Sequence, residues 1–273
     1  MKRIIALLLV LLLVFGMTVA CACRKEEEKT TLIVFAAASM TETMEEIKTM
    51  YEKDHPDIII QYNFDSSGEL KRQIEQGADC DLFISAGQKQ MNQLDITASK
   101  EVNTNGLDFV LDGTRVNLLE NRVTLCIAEG NDAGIDSFDT LAKKLKEGGI
   151  LMAMGNSDVP VGQYTQKIFA FYGLDEQALA QAGVLTYGSN VKEVTTQIKE
   201  GSVNCGVVYC TDAFSAGLKT VDYATKDMCG QVIYPAAVLK TAAHPDEAKA
   251  FLDYLMTDAA MAVFANVGFA PVK

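Results

Sequence analysis

The stretch Val34-Phe35-Ala36-Ala37-Ala38-Ser39-Met40-Thr41 is an apolar run that stops abruptly at small residues and then at a hydroxyl. Upstream, Leu32 to Phe35 read as a buried strand. Downstream, Met40, Met44, Ile47 and Tyr51 recur at helical spacing, which puts Ser39 on a strand-to-helix turn. The first turn of a helix carries N–H groups without intrahelical acceptors and the positive end of the macrodipole, and small alanines let a ligand come close to them. An anion fits such a turn. Ser39 followed three residues later by Glu42 also matches a capping box, in which the hydroxyl serves its own helix and needs no ligand. Sequence alone leaves both readings open.

On either side of this turn the chain alternates between two kinds of segment. Ile58 to Tyr62, Leu82 to Ser85, Val123 to Ala128, Ile150 to Met154 and Val203 to Tyr209 read as strands. Between them, helices are expected from Glu69 to Gln76, around Leu141 and Leu145, from Gln163 to Tyr172, around Ala178, and around Val194 and Ile198. A last helical region starts at Pro245-Asp246. Continuous apolar strands alternating with helices imply an α/β protein with mainly parallel sheets covered on both faces. If the chain forms two lobes, it crosses between them near Leu118 to Arg122 and again near Ile233 to Pro235. One lobe then holds residues 32–119 plus 233–273, and the other holds 120–232.

The first twenty residues read as a leader. Met1-Lys2-Arg3 is a basic start, Ile4 to Phe15 is almost unbroken apolar sequence, and Thr18-Val19-Ala20-Cys21 closes it with small residues before a cysteine. This resembles a bacterial lipoprotein signal (1–20) with Cys21 as the acylated residue. Thr18 stands where such signals usually have Leu, so Cys23 remains an alternative. A membrane-spanning helix is the weaker reading, because the run is shorter than the ~20 residues a bilayer requires. Residues 21–31, rich in charge from Arg24 to Lys29, read as a tether outside the membrane.

About 250 residues follow the leader, enough for one large or two ordinary domains. The formal charge is −12, and loss of Lys2 and Arg3 with the leader makes it −14. That balance argues against nucleic acid or an acidic membrane surface as partner. It says less about a small anion, since exposed charges beyond ~8 Å are screened and local dipoles decide. Cys80, Cys126, Cys205, Cys210 and Cys229 are odd in number and irregular in spacing, so they read as free core thiols rather than a zinc site or disulfide framework.

Three further loops resemble the first in kind. Phe64-Asp65-Ser66-Ser67-Gly68-Glu69 ends a strand and begins a helix, with an ordinary serine cap as the competing reading. In Asp158-Val159-Pro160-Val161-Gly162-Gln163-Tyr164, Pro160 and Gly162 are expected to fix an unusual backbone just ahead of a helix and to turn the Val161 N–H outward. Gly188-Ser189-Asn190-Val191-Lys192 places Val191 at a helix start. Four helix N-termini offer hydroxyls or bare amides without an obligatory cation.

These segments, together with Leu70 to Glu75, Asp81 to Ala86, Val207-Val208-Tyr209, Tyr234-Pro235-Ala236-Ala237-Val238 and Val267-Gly268-Phe269, fall in an order that resembles the molybdate-binding proteins of ABC transporters. The resemblance covers roughly residues 31 to 270. It implies a two-lobed fold of the type II periplasmic binding protein kind, with a tetrahedral oxyanion in the cleft between the lobes. By motif the ligand groups fall on Ser39, Ser67, Val161, Val191 and Tyr209. Two positions depart from the pattern: Gly68 stands where the family can carry a third serine, and Val161 where it usually has alanine. The resemblance further implies molybdate and tungstate as ligands, no cofactor, an ABC permease as partner, a membrane association through the lipid anchor only, and a monomer. Physically, hydrogen bonds to a charged acceptor contribute about 1.5–3 kcal/mol each, and neutral donors alone reject an oxyanion that still carries a proton.

The rivals are weaker. A hydrolase would need a base, and only His55 and His244 are available, each beside a proline; no Gly-x-Ser-x-Gly occurs. No His or Cys cluster has metal-ligand spacing. A binder of sulfate or of a small organic acid is the nearer alternative. An organic acid calls for an arginine clamp, for which Arg72, ahead of Arg115 and Arg122, is the candidate.

Overall fold

The structure, a computed structural model, describes residues 29–130 and 133–272. The leader, Cys21, Cys23 and most of the expected tether lie outside the described residues. In chain order the strands are β1 (Thr30–Ala37), β2 (Ile58–Asp65), β3 (Leu82–Ile84), β4 (Val116–Asn121), β5 (Val123–Ile127), β6 (Met152–Gly155), β7 (Leu185–Gly188), β8 (Cys205–Tyr209), β9 (Lys219–Tyr223), β10 (Val232–Val238) and β11 (Ala270–Pro271). They form two sheets, ordered β11-β4-β10-β3-β1-β2 and β7-β6-β8-β5-β9.

Both sheets are mixed, a correction to the mainly parallel arrangement expected. The runs β2-β1-β3 and β7-β6-β8 are parallel. β10, β4 and β11 extend the first sheet antiparallel, and β5 and β9 extend the second in the same way. The antiparallel strands include those that carry the chain between sheets: only Arg122 separates β4 from β5, and β10 brings the chain back. An apolar run such as Val232-Ile233-Tyr234-Pro235-Ala236-Ala237-Val238 looks the same in either orientation, so periodicity could not distinguish them. Pro235, which cannot donate to a ladder, sits where the β10–β4 register shifts, and its carbonyl accepts from the Ser85 amide at 2.9 Å.

Helices cover the sheets with the faces their spacing dictates. The Thr41–Asp54 helix buries Thr43, Met44, Ile47 and Tyr51. The last helical region is two helices, Pro245–Leu255 and Asp258–Asn266, divided where the Thr257 side chain caps the second by accepting from the Ala260 amide. The five cysteines that follow the tether are all buried and free. Among the described residues no helix is long and apolar enough to cross a membrane.

Candidate anion-binding site

The parallel strands deliver the site. β1, β2, β6 and β7 each end at a loop that opens a helix or helical turn, and in open α/β sheets such carboxyl ends are where ligands meet helix N-termini. Ser39 lies in a single tight turn, Ala38–Met40, between β1 and the Thr41–Asp54 helix, and neither turn nor helix has a side-chain cap. The capping box is therefore not formed. Instead the Ser39 hydroxyl lies 2.9 Å from the Tyr234 hydroxyl, and Glu42 takes Lys192 Nζ at 2.8 Å on both its oxygens.

In the second loop the two serines divide the work. Ser66 is the cap: its side chain accepts from the Glu69 amide at 3.3 Å. Ser67, the first helical residue and wholly buried, accepts the Ala86 amide at 2.9 Å. A hydroxyl that accepts one bond still has its proton to give. Gly68 faces the Asp158 carbonyl so closely that a Cβ would lie 2.2 Å from that oxygen, which gives this departure from a third serine a steric reason.

The third helix starts earlier than expected, at Pro160, with Val161 as its second residue. No unusual backbone is needed there: Gly162 does not have a positive φ. Its role is close approach, because a Cβ would meet the carbonyl oxygens of Asn156 and Gly155 at 2.3 Å. Position puts the Val161 amide among the N–H groups that have no intrahelical acceptor. Val191 opens its helix behind Asn190, whose side chain accepts from the Glu193 amide at 3.1 Å.

A cavity of about 10 Å³ is walled by Ser39, Ser67, Val191 and Tyr209, by Ala37, Ala38 and Ala86, by Val159 and Pro160, and by Asp65 and Ser66. Four of the five expected residues thus share one cavity. Val161, fully buried, follows Val159 and Pro160 in the chain but does not itself line the cavity. Tyr209 is fully buried and its hydroxyl donates to the Ala86 carbonyl at 3.3 Å, a long bond. Burial pushes the pKa of both Tyr209 and Tyr234 well above the ordinary value, so both stay neutral donors.

No lysine or arginine lines the cavity. Asp65 is its one carboxylate, and Oδ1 is turned to the Ser66 amide at 2.7 Å and to Asn190 Nδ2 at 3.4 Å. The arginine clamp is not present. Arg72 is paired with Glu69 on its own helix, Arg115 with Asp95, Gln88 and Asn92, and the Arg122 guanidinium lies 4.3 Å from the Tyr223 ring centre. His55 stacks on Tyr51, and among the described residues no cluster of His, Cys, Asp or Glu could hold a metal ion.

Two residues belong here that the site reading from sequence did not include. Tyr234 was visible only as part of a motif, and Asn121, which donates to the Tyr234 hydroxyl at 3.1 Å, gave no signal at all.

Two sheets joined by two crossovers, with helix N-termini from both meeting at one cavity, define a two-lobed solute-binding protein. The chain belongs to the bacterial extracellular solute-binding proteins, whose family model matches residues 32–270. It is 36% identical over 240 residues to YvgL of Bacillus subtilis, provisionally named an ABC transporter substrate-binding lipoprotein, with 86% of this chain and 85% of the relative covered. It is 30% identical over 244 residues to the molybdate-binding protein ModA of Haemophilus influenzae, covering 86% and 88%. The periplasmic molybdate-binding protein of Azotobacter vinelandii shares the fold, with a TM-score of 0.74 at 20% identity over 89% of this chain and 100% of that one. These relatives are solute-binding proteins, not enzymes.

Proposed function

We propose that this chain is the solute-binding component of an ABC importer, taking molybdate, and tungstate with it, as a tetrahedral oxyanion and handing it to a membrane permease. The observation that carries the reading is the convergence of helix starts after β1, β2, β6 and β7 around one cavity with hydroxyl and amide donors and no cation. The name and 30% identity of ModA support molybdate in particular. In this reading Ser39, Ser67 and Tyr209 give hydroxyl protons to the anion, and Val161 and Val191 give backbone amides. We take the lobes as expected, residues 32–119 with 233–273 and residues 120–232, except that Glu120, Asn121 and Val232 go with the first, since β4 and β10 belong to its sheet. The lobes hinge at the two crossovers, and Cys21, or Cys23 in its place, carries the lipid that anchors a monomer to the cell membrane on its extracytoplasmic side.

A cavity of about 10 Å³ has about the room that one water requires. Lobe opening is therefore part of the mechanism, since the ion enters between separated loops and the lobes close on it. Thermal unfolding with each oxyanion tests the reading: a ligand at a hundred times its Kd adds about 2.7 kcal/mol, or roughly 5–10 °C for a protein of this size. A rise with molybdate and none with sulfate supports the proposal; the reverse replaces it with sulfate.

A further inference from the structure

We infer that Tyr234 and Asn121 are positioning residues that fix which way the Ser39 hydroxyl points its proton, making Ser39 a donor toward the cavity. The inference rests on the proposed oxyanion reading and goes beyond it, because neither residue lines the cavity.

The orientation of Asn121 is set first. Its Oδ1 accepts from the Arg122 amide at 2.8 Å and from the Cys210 thiol at 3.1 Å. Nδ2 must then face the other way, where it donates to the Tyr234 hydroxyl at 3.1 Å and to Thr211 Oγ1 at 3.0 Å. Tyr234 is completely buried, and burial holds its hydroxyl in the neutral form. Having accepted from Asn121, that hydroxyl keeps its own proton. Ser39 Oγ lies 2.9 Å away, a contact in which either oxygen can donate, and we assign the donated proton to Tyr234. In that assignment Ser39 accepts from Tyr234 and keeps its own proton for the cavity it lines.

The chain of bonds thus runs from Asn121 to Tyr234 to Ser39, each hydroxyl accepting behind and donating ahead. Its two anchors sit on the strands that enter and leave the first sheet at the crossovers, β4 and β10. A serine without this support could turn its lone pairs inward and accept from a protonated ligand. With it, one lone pair of Ser39 is already used and its proton faces the cavity, so a ligand O–H meets a poorer acceptor at this position.

The test is a double-mutant cycle on the full mature chain, read as calorimetric affinity for molybdate and for inorganic phosphate, which keeps a proton near neutral pH. Tyr234→Phe keeps the ring and its edge contacts with Tyr209 and Phe269. It is expected to weaken molybdate about tenfold and to narrow the molybdate-to-phosphate ratio. In a Ser39→Ala background the same change is expected to cost nothing further, because Tyr234 acts through Ser39. Should the Phe variant fail to fold, Asn121→Ala enters the cycle from the other end with the same expectation. Additive losses, or an unchanged ratio, overturn the relay while leaving molybdate binding in place. Silence of the wild-type chain toward molybdate removes the proposed function, and the relay with it.

Discussion

The backbone amide of Ala86 donates to the hydroxyl of Ser67 at 2.9 Å, tying the end of the strand Leu82–Ile84 to the first residue of the helix that follows β2. The bond uses a lone pair of Ser67 and leaves its proton for the cavity. Ser67→Ala is expected to weaken molybdate binding about 10- to 100-fold, the loss of one hydrogen bond to a charged acceptor, while the protein still folds. Titration of the variant beside a circular dichroism melt separates the two effects; wild-type affinity in the variant removes Ser67 from the site.

Gly68 meets Asp158 across the cleft, where a Cβ would come within 2.2 Å of the carbonyl oxygen. Gly68→Ala must therefore hold the two loops apart. Affinity is expected to fall at least about tenfold, or 1.4 kcal/mol, with each lobe intact. X-ray scattering with saturating ligand reads the cause directly, as a radius of gyration that stays larger than that of the liganded wild type.

Lys192 follows the proposed ligand residue Val191 and reaches Glu42, on the helix that follows Ser39, at 2.8 Å. With Asn190 to Asp65, it pins the start of the Val191–Lys199 helix to the other half of the molecule. The pair is partly exposed, so Glu42→Gln is expected to cost under about 1 kcal/mol, a fewfold loss in affinity. Titrations in low and high salt should show that loss shrinking as salt rises.

Asp212 is fully buried, with Lys192 Nζ 3.4 Å from Oδ1 and no hydrogen bond to either oxygen. Burial raises its pKa from 3.8 to about 7, against the pull of Lys192, with Glu42 adding to the rise. Between those values the fold holds a proton that the unfolded chain has lost. Its contribution is complete below about pH 4 and is lost as pH rises through about 7. Urea midpoints of wild type and Asp212→Asn from pH 4 to 8 test this. The variant is expected to gain on the wild type as pH rises, by up to about 4 kcal/mol at 1.36 kcal/mol per pKa unit; parallel curves would show that Asp212 does not titrate in this range.

What could be read from sequence was what local chemistry fixes. The strand-to-helix turns at Ser39, Ser67, Val161 and Val191 were legible because apolar runs end at small or hydroxyl residues just where helical spacing begins. What Ser39 does was not legible. A capping box and a site serine have the same spelling, and the choice depends on Tyr234, 195 positions away. The steric role of Gly68 was hidden for the same reason, since Asp158 reaches it only through the fold. Strand direction was lost at β10, where an apolar run fits either orientation and the proline is accommodated by a register shift.

The most direct measurement is calorimetric titration of the chain from Lys29 onward with molybdate, tungstate and sulfate in turn. Saturable one-to-one binding of molybdate and tungstate, with no heat from sulfate, is the expected result. Heat from sulfate alone, or silence with all three, contradicts it.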